Sequence, residues 1–221
     1  MGLFSKLFNK KEPLVEKEQI PIKQAPAASS PNATYSQVRI KCGSCSGFYR
    51  LRDGKYGIFA GCSNYPDCKS TLNLPDIVLK YIEYYGLKIY CWEKVCYKCG
   101  KKIPVYSYYL GYDLADFDEI FSMRGPTVGL GDLSYIDELL SNEIPNIQMR
   151  YSKTTNSKYM ANTCEHCGAL QGRNYVVDDP HEIIGELWHN RDMEKFLFKK
   201  LEIKDVTPLK DDIKNLYTQR F

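Results

Sequence analysis

The chain has 221 residues and carries 30 lysines and arginines against 27 aspartates and glutamates, for a formal net charge of +3. This near balance excludes a histone-like protein that binds polyanions through its overall positive charge. An apolar fraction of 43% is ordinary for a folded soluble protein, and no apolar run approaches the roughly 18 residues of a membrane-spanning segment.

The first 36 residues are predicted to lie outside the folded part of the chain. Residues 1–11 place four apolar side chains on one side of a short amphipathic helix and three lysines elsewhere, a pattern that predicts weak contact with a membrane surface or a partner. Residues 12–36 hold four prolines among alanine, serine and glutamine and are typical of a flexible linker.

The first cysteine cluster comprises Cys42, Cys45, Cys62 and Cys68, with 2, 16 and 5 residues between neighbours. Zinc takes four ligands tetrahedrally at about 2.3 Å from sulfur, and a two-residue spacer lets one tight turn direct two thiolates at one ion. Four protein sulfurs leave no position for water, so a metal held here would be structural. We therefore expect bound zinc rather than disulfides, and a cytoplasmic protein.

A β-hairpin is predicted between the two halves of this cluster. Residues 48–52 and 56–60 read as its strands, joined at Asp53-Gly54, a favoured two-residue turn. Alternation places Tyr49 on one face of the hairpin and Arg50 with Arg52 on the other. Residues 35–75 carry six basic and two acidic residues, so the positive excess of the chain is concentrated here.

The run from Gly54 to Cys68, Gly-Lys-Tyr-Gly-Ile-Phe-Ala-Gly-Cys-Ser-Asn-Tyr-Pro-Asp-Cys, resembles the central part of the C4 zinc ribbon of bacterial type IA DNA topoisomerases. The resemblance covers residues 42–72, about a seventh of the chain, and departs from the family pattern at Gly43, where proline is usual. It implies a zinc ribbon that binds DNA, chiefly single strands. It implies no strand cleavage, because the catalytic domains of those enzymes have no counterpart here.

Basic residues interleaved with aromatic ones predict a single-strand platform on this hairpin, because cations neutralise phosphates and rings stack on bases. An alternative stays open for several of the rings, which could instead pack over the cysteine turns. The predicted phosphate contacts are Arg50, Arg52, Lys55 and Lys69, and the predicted stacking residues are Tyr49, Tyr56, Phe59 and Tyr65.

The remaining chain predicts alternating helices and strands. A helix starting near Asp76, capped by Asn73 or Asp76 and ended by Gly86, is followed by a strand that leads to the next cysteine pair. Further strands are predicted at 103–110 and 147–151, and helices near 113–123, 133–142 and 179–188, the last extended by Phe196, Leu197 and Leu201.

The second cysteine cluster consists of two Cys-x-x-Cys-Gly motifs with 64 residues between them: Cys96, Cys99, Cys164 and Cys167. Their spacing predicts a second structural zinc site, a zinc ribbon with helices inserted in its connecting loop. A redox role is less favoured, because the strand–helix setting of thioredoxin-like chemistry is missing. Cys91 is interpreted as a spare thiol, and His166 as an exposed spacer between two ligands.

Together these patterns predict an α+β protein with three parts: residues 1–36, a zinc ribbon at 37–75 and a second zinc-binding domain at 76–221. We expect a zinc-dependent accessory protein that binds DNA, single strands in preference, without catalysis. The acidic run 116–119 is interpreted as a solvated helix face rather than a catalytic site. Alternatives are a zinc-held scaffold for protein partners and an accessory component of a topoisomerase or nuclease system. The second domain would supply a partner surface or further nucleic-acid contact.

Overall fold

The computed structural model describes residues 38–118, 120–121, 125–173, 176 and 193–218, all of which belong to one compact unit spanning 35–221. The predicted amphipathic helix, the linker and the helix near 179–188 lie outside the described residues. No helix in the described part of the chain is long and apolar enough to cross a membrane.

The first sheet is built from the predicted hairpin. Strands β1 (Tyr49–Gly54) and β2 (Gly57–Cys62) are antiparallel, and a short β3 (Thr71–Leu72) pairs with the other edge of β2. The turn lies at residues 55–56, so the predicted turn at Asp53-Gly54 is wrong by two residues. The buried face of the hairpin sets the register of the two strands, and their pairing continues to Gly54 and Gly57. Gly57 has a φ of +109°, a conformation that glycine adopts without strain.

Helix α1 (Leu74–Tyr85) follows the first sheet directly. The Asn73 side chain accepts a hydrogen bond from the Asp76 N–H at 2.8 Å, which caps the helix as predicted. The helix ends at Gly86, which has a φ of +68° and passes so close to the Leu201 carbonyl that a Cβ would lie 2.2 Å from its oxygen. The apolar face of α1 packs against β2 and against α4 (Lys210–Thr218), a helix that the sequence analysis missed.

The second sheet has the order β5-β4-β9 and is antiparallel throughout. Its strands are β4 (Leu87–Val95), β5 (Lys102–Ser107) and β9 (Leu197–Leu201). The prediction that Leu197 and Leu201 extend a helix is therefore wrong. This segment forms backbone hydrogen bonds with the edge of β4, a long-range partner that local helical spacing could not indicate.

An insertion between β5 and the third sheet contains helices α2 (Leu110–Ala115) and α3 (Ser134–Glu143). Helix α2 begins three residues before the helix predicted near 113–123 and ends at Ala115, whereas residues 119 and 122–123 of that prediction lie outside the described residues. Helix α3 agrees with the prediction within one residue. The third sheet consists of β6 (Ile147–Ser152), β7 (Ser157–Thr163) and β8 (Leu170–Gln171), in that order and antiparallel. The predicted α+β class is confirmed.

The core consists of two clusters of buried side chains. The larger joins the first ribbon, through Ile40, Tyr49 and Ala60, to α1, the insertion and α4. The smaller surrounds the second cysteine group and is centred on Tyr90, Trp92 and Val105. The first ribbon therefore shares its apolar contacts with the chain that follows it, and the boundary at residues 75–76 stays a prediction.

Candidate metal centres and nucleic-acid interface

The first candidate metal centre is formed by the Sγ atoms of Cys42, Cys45, Cys62 and Cys68, which lie within 4.8 Å of one another. Two of the sulfur–sulfur distances are 3.8 Å (Cys42 to Cys68) and 3.4 Å (Cys45 to Cys62). A tetrahedron with metal–sulfur bonds of about 2.3 Å has edges of about 3.8 Å. The four thiols are therefore arranged to hold one metal ion.

Amide donors surround these sulfurs, because Cys42, Cys45 and Cys62 each begin a tight turn. Gly47 is required for space as well: a Cβ there would lie 3.0 Å from the Cys62 Sγ. Such N–H···S hydrogen bonds stabilise thiolates. The donors are the backbone N–H groups of Ser44 (to Cys42, 3.4 Å), Gly47 (to Cys45, 3.3 Å) and Asn64 (to Cys62, 3.4 Å), and the Asn64 Nδ2 (to Cys45, 3.5 Å).

The pKa values of these thiols reflect both the N–H donors and the closeness of the four sulfurs. The Ser44 N–H and neighbouring hydrogen bonds lower the pKa of the Cys42 thiol to about 6. At Cys62 the Asn64 N–H acts in the same direction, but burial and the adjacent thiols outweigh it and raise the pKa to about 12. Four touching sulfurs cannot all be charged on their own, so a shared cation is what allows the group to lose its protons.

The second candidate centre brings together the Sγ atoms of Cys96, Cys99, Cys164 and Cys167, again within 4.8 Å of one another. The distance from Cys96 to Cys167 is 3.8 Å and that from Cys99 to Cys164 is 3.6 Å. One pair lies in the turn between β4 and β5, and the other in the turn between β7 and β8. The centre therefore links the second sheet to the third, across the predicted helical insertion.

The two turns of the second centre have the same backbone geometry. In each, the glycine after the second cysteine has a positive φ, +69° at Gly100 and +67° at Gly168. The glycine N–H donates to the carbonyl of the first cysteine, at 2.9 Å for Cys96 and 2.8 Å for Cys164. A residue with a side chain would be strained here, which explains the Cys-x-x-Cys-Gly pattern.

Gln171 in β8 is a buried partner of the second centre that the sequence analysis missed. Its Nε2 donates to the Cys96 Sγ at 3.4 Å and to the Ala169 carbonyl at 3.0 Å. Burial acts to raise the pKa of Cys96, but N–H donors of its own turn outweigh it and lower the pKa to about 6. At Cys167 the Ala169 N–H lowers the pKa, whereas burial and the neighbouring thiols raise it, for a net value of about 11.

Cys91 and His166 belong to neither sulfur group. Cys91 lies on β4 opposite Tyr106, and burial raises the pKa of its thiol. His166 is exposed, and its Nε2 lies 3.6 Å from a carboxylate oxygen of Glu165. Their positions agree with the interpretations of a spare thiol and an exposed spacer.

The outer face of the β1–β2 hairpin carries the predicted arginines. Arg50 and Arg52 are both exposed on this face. The guanidinium carbons of Arg39 and Arg50 lie 5.0 and 4.7 Å from the centroid of the Phe48 ring. These cation–π contacts hold two positive groups at the surface. Alternation from Arg50 could have identified Phe48, which the sequence analysis left out.

Arg52 and Phe59 are cross-strand partners on the same face. Two glycines give these side chains room against the strands. A Cβ at Gly61 would lie 2.9 Å from the Arg52 Nε, and one at Gly54 would lie 2.8 Å from the Phe59 ring. Gly54 and Gly61 thus let the Phe59 ring and the Arg52 side chain lie close against the outer face of the hairpin.

The other predicted contact residues lie at the two ends of the ribbon. Tyr56, in the hairpin turn, is 94% exposed, and the Lys55 Nζ lies 5.3 Å from its ring centroid. Tyr65, in the loop that carries the second cysteine pair, is 64% exposed, and Lys69 of the same loop is also exposed.

Tyr49 is the exception, and its prediction as a stacking residue is wrong. The side chain is only 3% exposed and its hydroxyl lies 2.8 Å from the Ser70 Oγ. It faces inward because it alternates with Arg50 and Arg52, and because a ribbon this small needs a large ring for its core. Its role is packing.

The fold and the sulfur geometry define a β-ribbon with a four-cysteine metal centre. Residues 39–77 match the family described as the topoisomerase DNA-binding C4 zinc finger, so this part of the chain is a topoisomerase-type zinc ribbon, a DNA-binding module. The second centre lies outside the matched residues. No curated protein and no solved structure matches the chain significantly.

Proposed function

We propose that this protein is a zinc-dependent accessory protein that binds single-stranded DNA through the outer face of its first ribbon and has no catalytic activity. The observation that carries the proposal is the exposed array of Arg50, Arg52 and Tyr56 on a hairpin that lies between the two halves of a four-cysteine cluster.

Zinc is the proposed ion at both centres. Four thiolates arranged as a tetrahedron are the donor set that zinc prefers among the common divalent ions. Because protein sulfur fills all four positions, water cannot reach the metal to be activated. This closed coordination supports a structural role for both ions and a protein without metal-dependent catalysis. Reduced thiols of this kind also favour a cytoplasmic location, with nucleoid association through DNA.

The exposed tyrosine rings of the first ribbon favour binding of single-stranded DNA over duplex DNA. Tyr56 and Tyr65 project from opposite ends of the ribbon and are largely exposed. Aromatic side chains stack on unpaired bases at about 1–3 kcal/mol per base, whereas bases in a duplex are already stacked on one another. The arginines between them suit the phosphates of the same strand.

The test is a fluorescence-anisotropy titration of the full chain with a labelled oligothymidine, over a series of salt concentrations. We expect the Arg50→Ala/Arg52→Ala variant to bind about tenfold more weakly at 0.1 M salt, and its plot of log K against log salt to be flatter by about 1.4 units. The matched control is Lys200→Ala/Lys204→Ala, which removes two exposed charges from another segment.

Equal binding by the two double variants would show that the arginine face is misassigned. Tighter binding to a duplex of the same length would overturn the strand preference, and no binding of either ligand would favour the scaffold for protein partners. Cleavage of the oligonucleotide by purified protein, abolished by one acidic substitution such as Asp116→Ala, would contradict the absence of catalysis.

A further inference from the structure

The β6–β7 hairpin of the third sheet is strongly basic. Residues 147–163 contain Arg150, Lys153 and Lys158 and no aspartate or glutamate. All three basic side chains are exposed. A cationic segment of this length within a chain of nearly balanced charge is a local patch of the kind that attracts polyanions.

Both faces of this hairpin combine cations with large flat or flexible side chains. Tyr151 lies opposite Lys158 and is 51% exposed, and Arg150 lies opposite Tyr159 on the other face. Met149 precedes them and is also largely exposed. Exposed aromatic side chains next to basic ones are what a single-strand platform requires, as on the first ribbon.

The first turn of the second metal centre is also basic. Residues 94–102 contain four lysines and no acidic residue, although Lys102 is paired with Glu93 at 2.6 Å. Tyr97, between two of the cysteines, is 61% exposed. Apart from Lys102, the two segments hold six basic residues, which outnumber the two negative charges that four thiolates and a divalent ion would leave at the centre.

An open groove of about 530 Å³ joins this turn to the hairpin. Among the described residues that line it there is no carboxylate, and nearby Asp132 is paired with Arg173. Hydroxyl groups and backbone amides commonly contact phosphate oxygens, and such groups line most of this groove. The polar and aromatic residues of the lining include Tyr97, Ser152, Thr154, Thr155, Ser157 and Arg173.

We propose that this groove and the β6–β7 hairpin form a second polynucleotide-binding surface, which binds the phosphodiester backbone of a single strand independently of the first ribbon. The groove lies on the Arg150 face of the hairpin, and β6 is at the edge of its sheet, so a single strand can pass from the groove around this edge to the opposite face. On the groove side Arg150 and Lys153 contact phosphates and Tyr97 stacks on a base. Beyond the edge Lys158 contacts a phosphate and Tyr151 stacks on a base. The proposal shares its class of ligand with the proposed function but uses different residues, so each surface can fail without the other.

The test measures binding of a labelled 30-nucleotide oligothymidine to the full chain in a two-by-two set of variants. One change is Arg150→Ala/Lys153→Ala/Lys158→Ala, and the other is Arg50→Ala/Arg52→Ala. The charge-matched control is Lys195→Ala/Lys200→Ala/Lys204→Ala, three exposed lysines of the C-terminal segment. Metal content and thermal unfolding of every variant establish that the fold is retained.

We expect the hairpin triple variant to lose about tenfold in affinity at 0.1 M salt relative to the control, and its salt dependence to be flatter by about 2 units. The same loss is expected when Arg50 and Arg52 are already alanine. A Tyr97→Ala variant should weaken binding without changing the salt dependence, since it removes a ring and no charge.

Equal binding by the hairpin and control variants in both backgrounds would overturn this proposal and leave the surface to an acidic protein partner. A loss in the hairpin variant with none in Arg50→Ala/Arg52→Ala would instead support the second surface and contradict the first. Loss in the hairpin variant only while the first ribbon is intact would show one extended site and overturn independence.

Discussion

Each of the two metal centres has four cysteine sulfurs as ligands, but the two centres close loops of very different length. The first holds residues 42–68, with at most 16 residues between neighbouring ligands, and organises a single hairpin. The second joins turns of two sheets across 64 residues, and the described part of this stretch includes helices α2 and α3 and strands β5, β6 and β7. The difference shows that one ligand motif can either build a local module or fasten distant parts of a fold.

The loss of a ligand should reveal this difference most strongly. Cys45→Ser and Cys164→Ser should each release one of two metal ions, and the second should lower the thermal midpoint further. Closing a loop four times longer is worth about 1.2 kcal/mol more, or about 4 °C for a domain of this size. Metal analysis and thermal unfolding test this.

Cys91→Ser is the control for both changes and should retain two ions, because its thiol belongs to neither sulfur group. An equal or smaller loss of stability in Cys164→Ser would mean that the second centre does not fasten the two sheets together.

Two tyrosines of the first ribbon have different roles: Tyr49 packs in the core, whereas Tyr56 is exposed and is proposed to bind DNA. Tyr49→Ala should cost about 3 kcal/mol of folding stability, because it removes a buried ring. Tyr56→Ala should change stability by less than about 0.5 kcal/mol and weaken single-strand binding by about 1–3 kcal/mol. Denaturant unfolding and anisotropy distinguish the two effects. If Tyr56→Ala lowered stability and left DNA binding unchanged, Tyr56 would be a packing residue and its assignment as a stacking residue would be wrong.

The hydrogen bonds to sulfur differ in burial between the centres. Gln171→Leu removes a buried donor to Cys96, and we expect about tenfold weaker metal retention at one of the two sites. Asn64→Leu removes the more exposed side-chain donor to Cys45, and its effect should be under about threefold. Timed metal release to a chelator measures both, and equal rates would remove the distinction between the centres.

Buried carboxyl groups occur in the insertion, whereas Asp53 and Asp67 of the first ribbon are exposed. Asp113 accepts a hydrogen bond from the Tyr90 hydroxyl at 2.5 Å, and burial raises the pKa of Asp113 to about 7. Its unfolded pKa is about 3.9, so the folded chain binds the extra proton between these values and loses stability as the pH rises through them.

Asp113→Asn should therefore stabilise the protein by up to about 4 kcal/mol at pH 8, since each of the roughly three units of pKa difference is worth about 1.4 kcal/mol, and have no such effect near pH 4. Urea unfolding of variant and parent across this range measures the difference. Because both proteins retain the metal centres, the pH dependence of the thiolates cancels in the comparison. A difference that is the same at both pH values would mean that the carboxyl does not titrate in this range.

Much of the first ribbon could be predicted because its determinants are local. Cysteine spacing, the alternation of Arg50 with Tyr49 and the glycines of the turn all lie within about thirty residues. The turn was misplaced by two residues, because strand pairing continues through Asp53-Gly54. Tyr49 was misassigned because the sequence shows that aromatic residues are present but not which of them are buried in the core.

The second half was predicted less completely, because its elements depend on distant partners. Leu197 to Leu201 becomes a strand only beside β4, and Gln171 becomes a sulfur donor only once β8 is brought to Cys96. The basic hairpin could have been found from residues 147–163 alone, since the absence of acidic residues there is visible in the sequence.

The sequence by itself determined the chemistry of this protein: eight thiols in two sets, a basic ribbon and the turns that direct sulfur to a shared point. The tertiary structure decided which rings are exposed, which sheets the second centre joins and where a groove forms beside its turn. The reason is physical, since ligand type and turn geometry are set by neighbours in the chain, whereas exposure and grooves arise from packing between residues far apart in it.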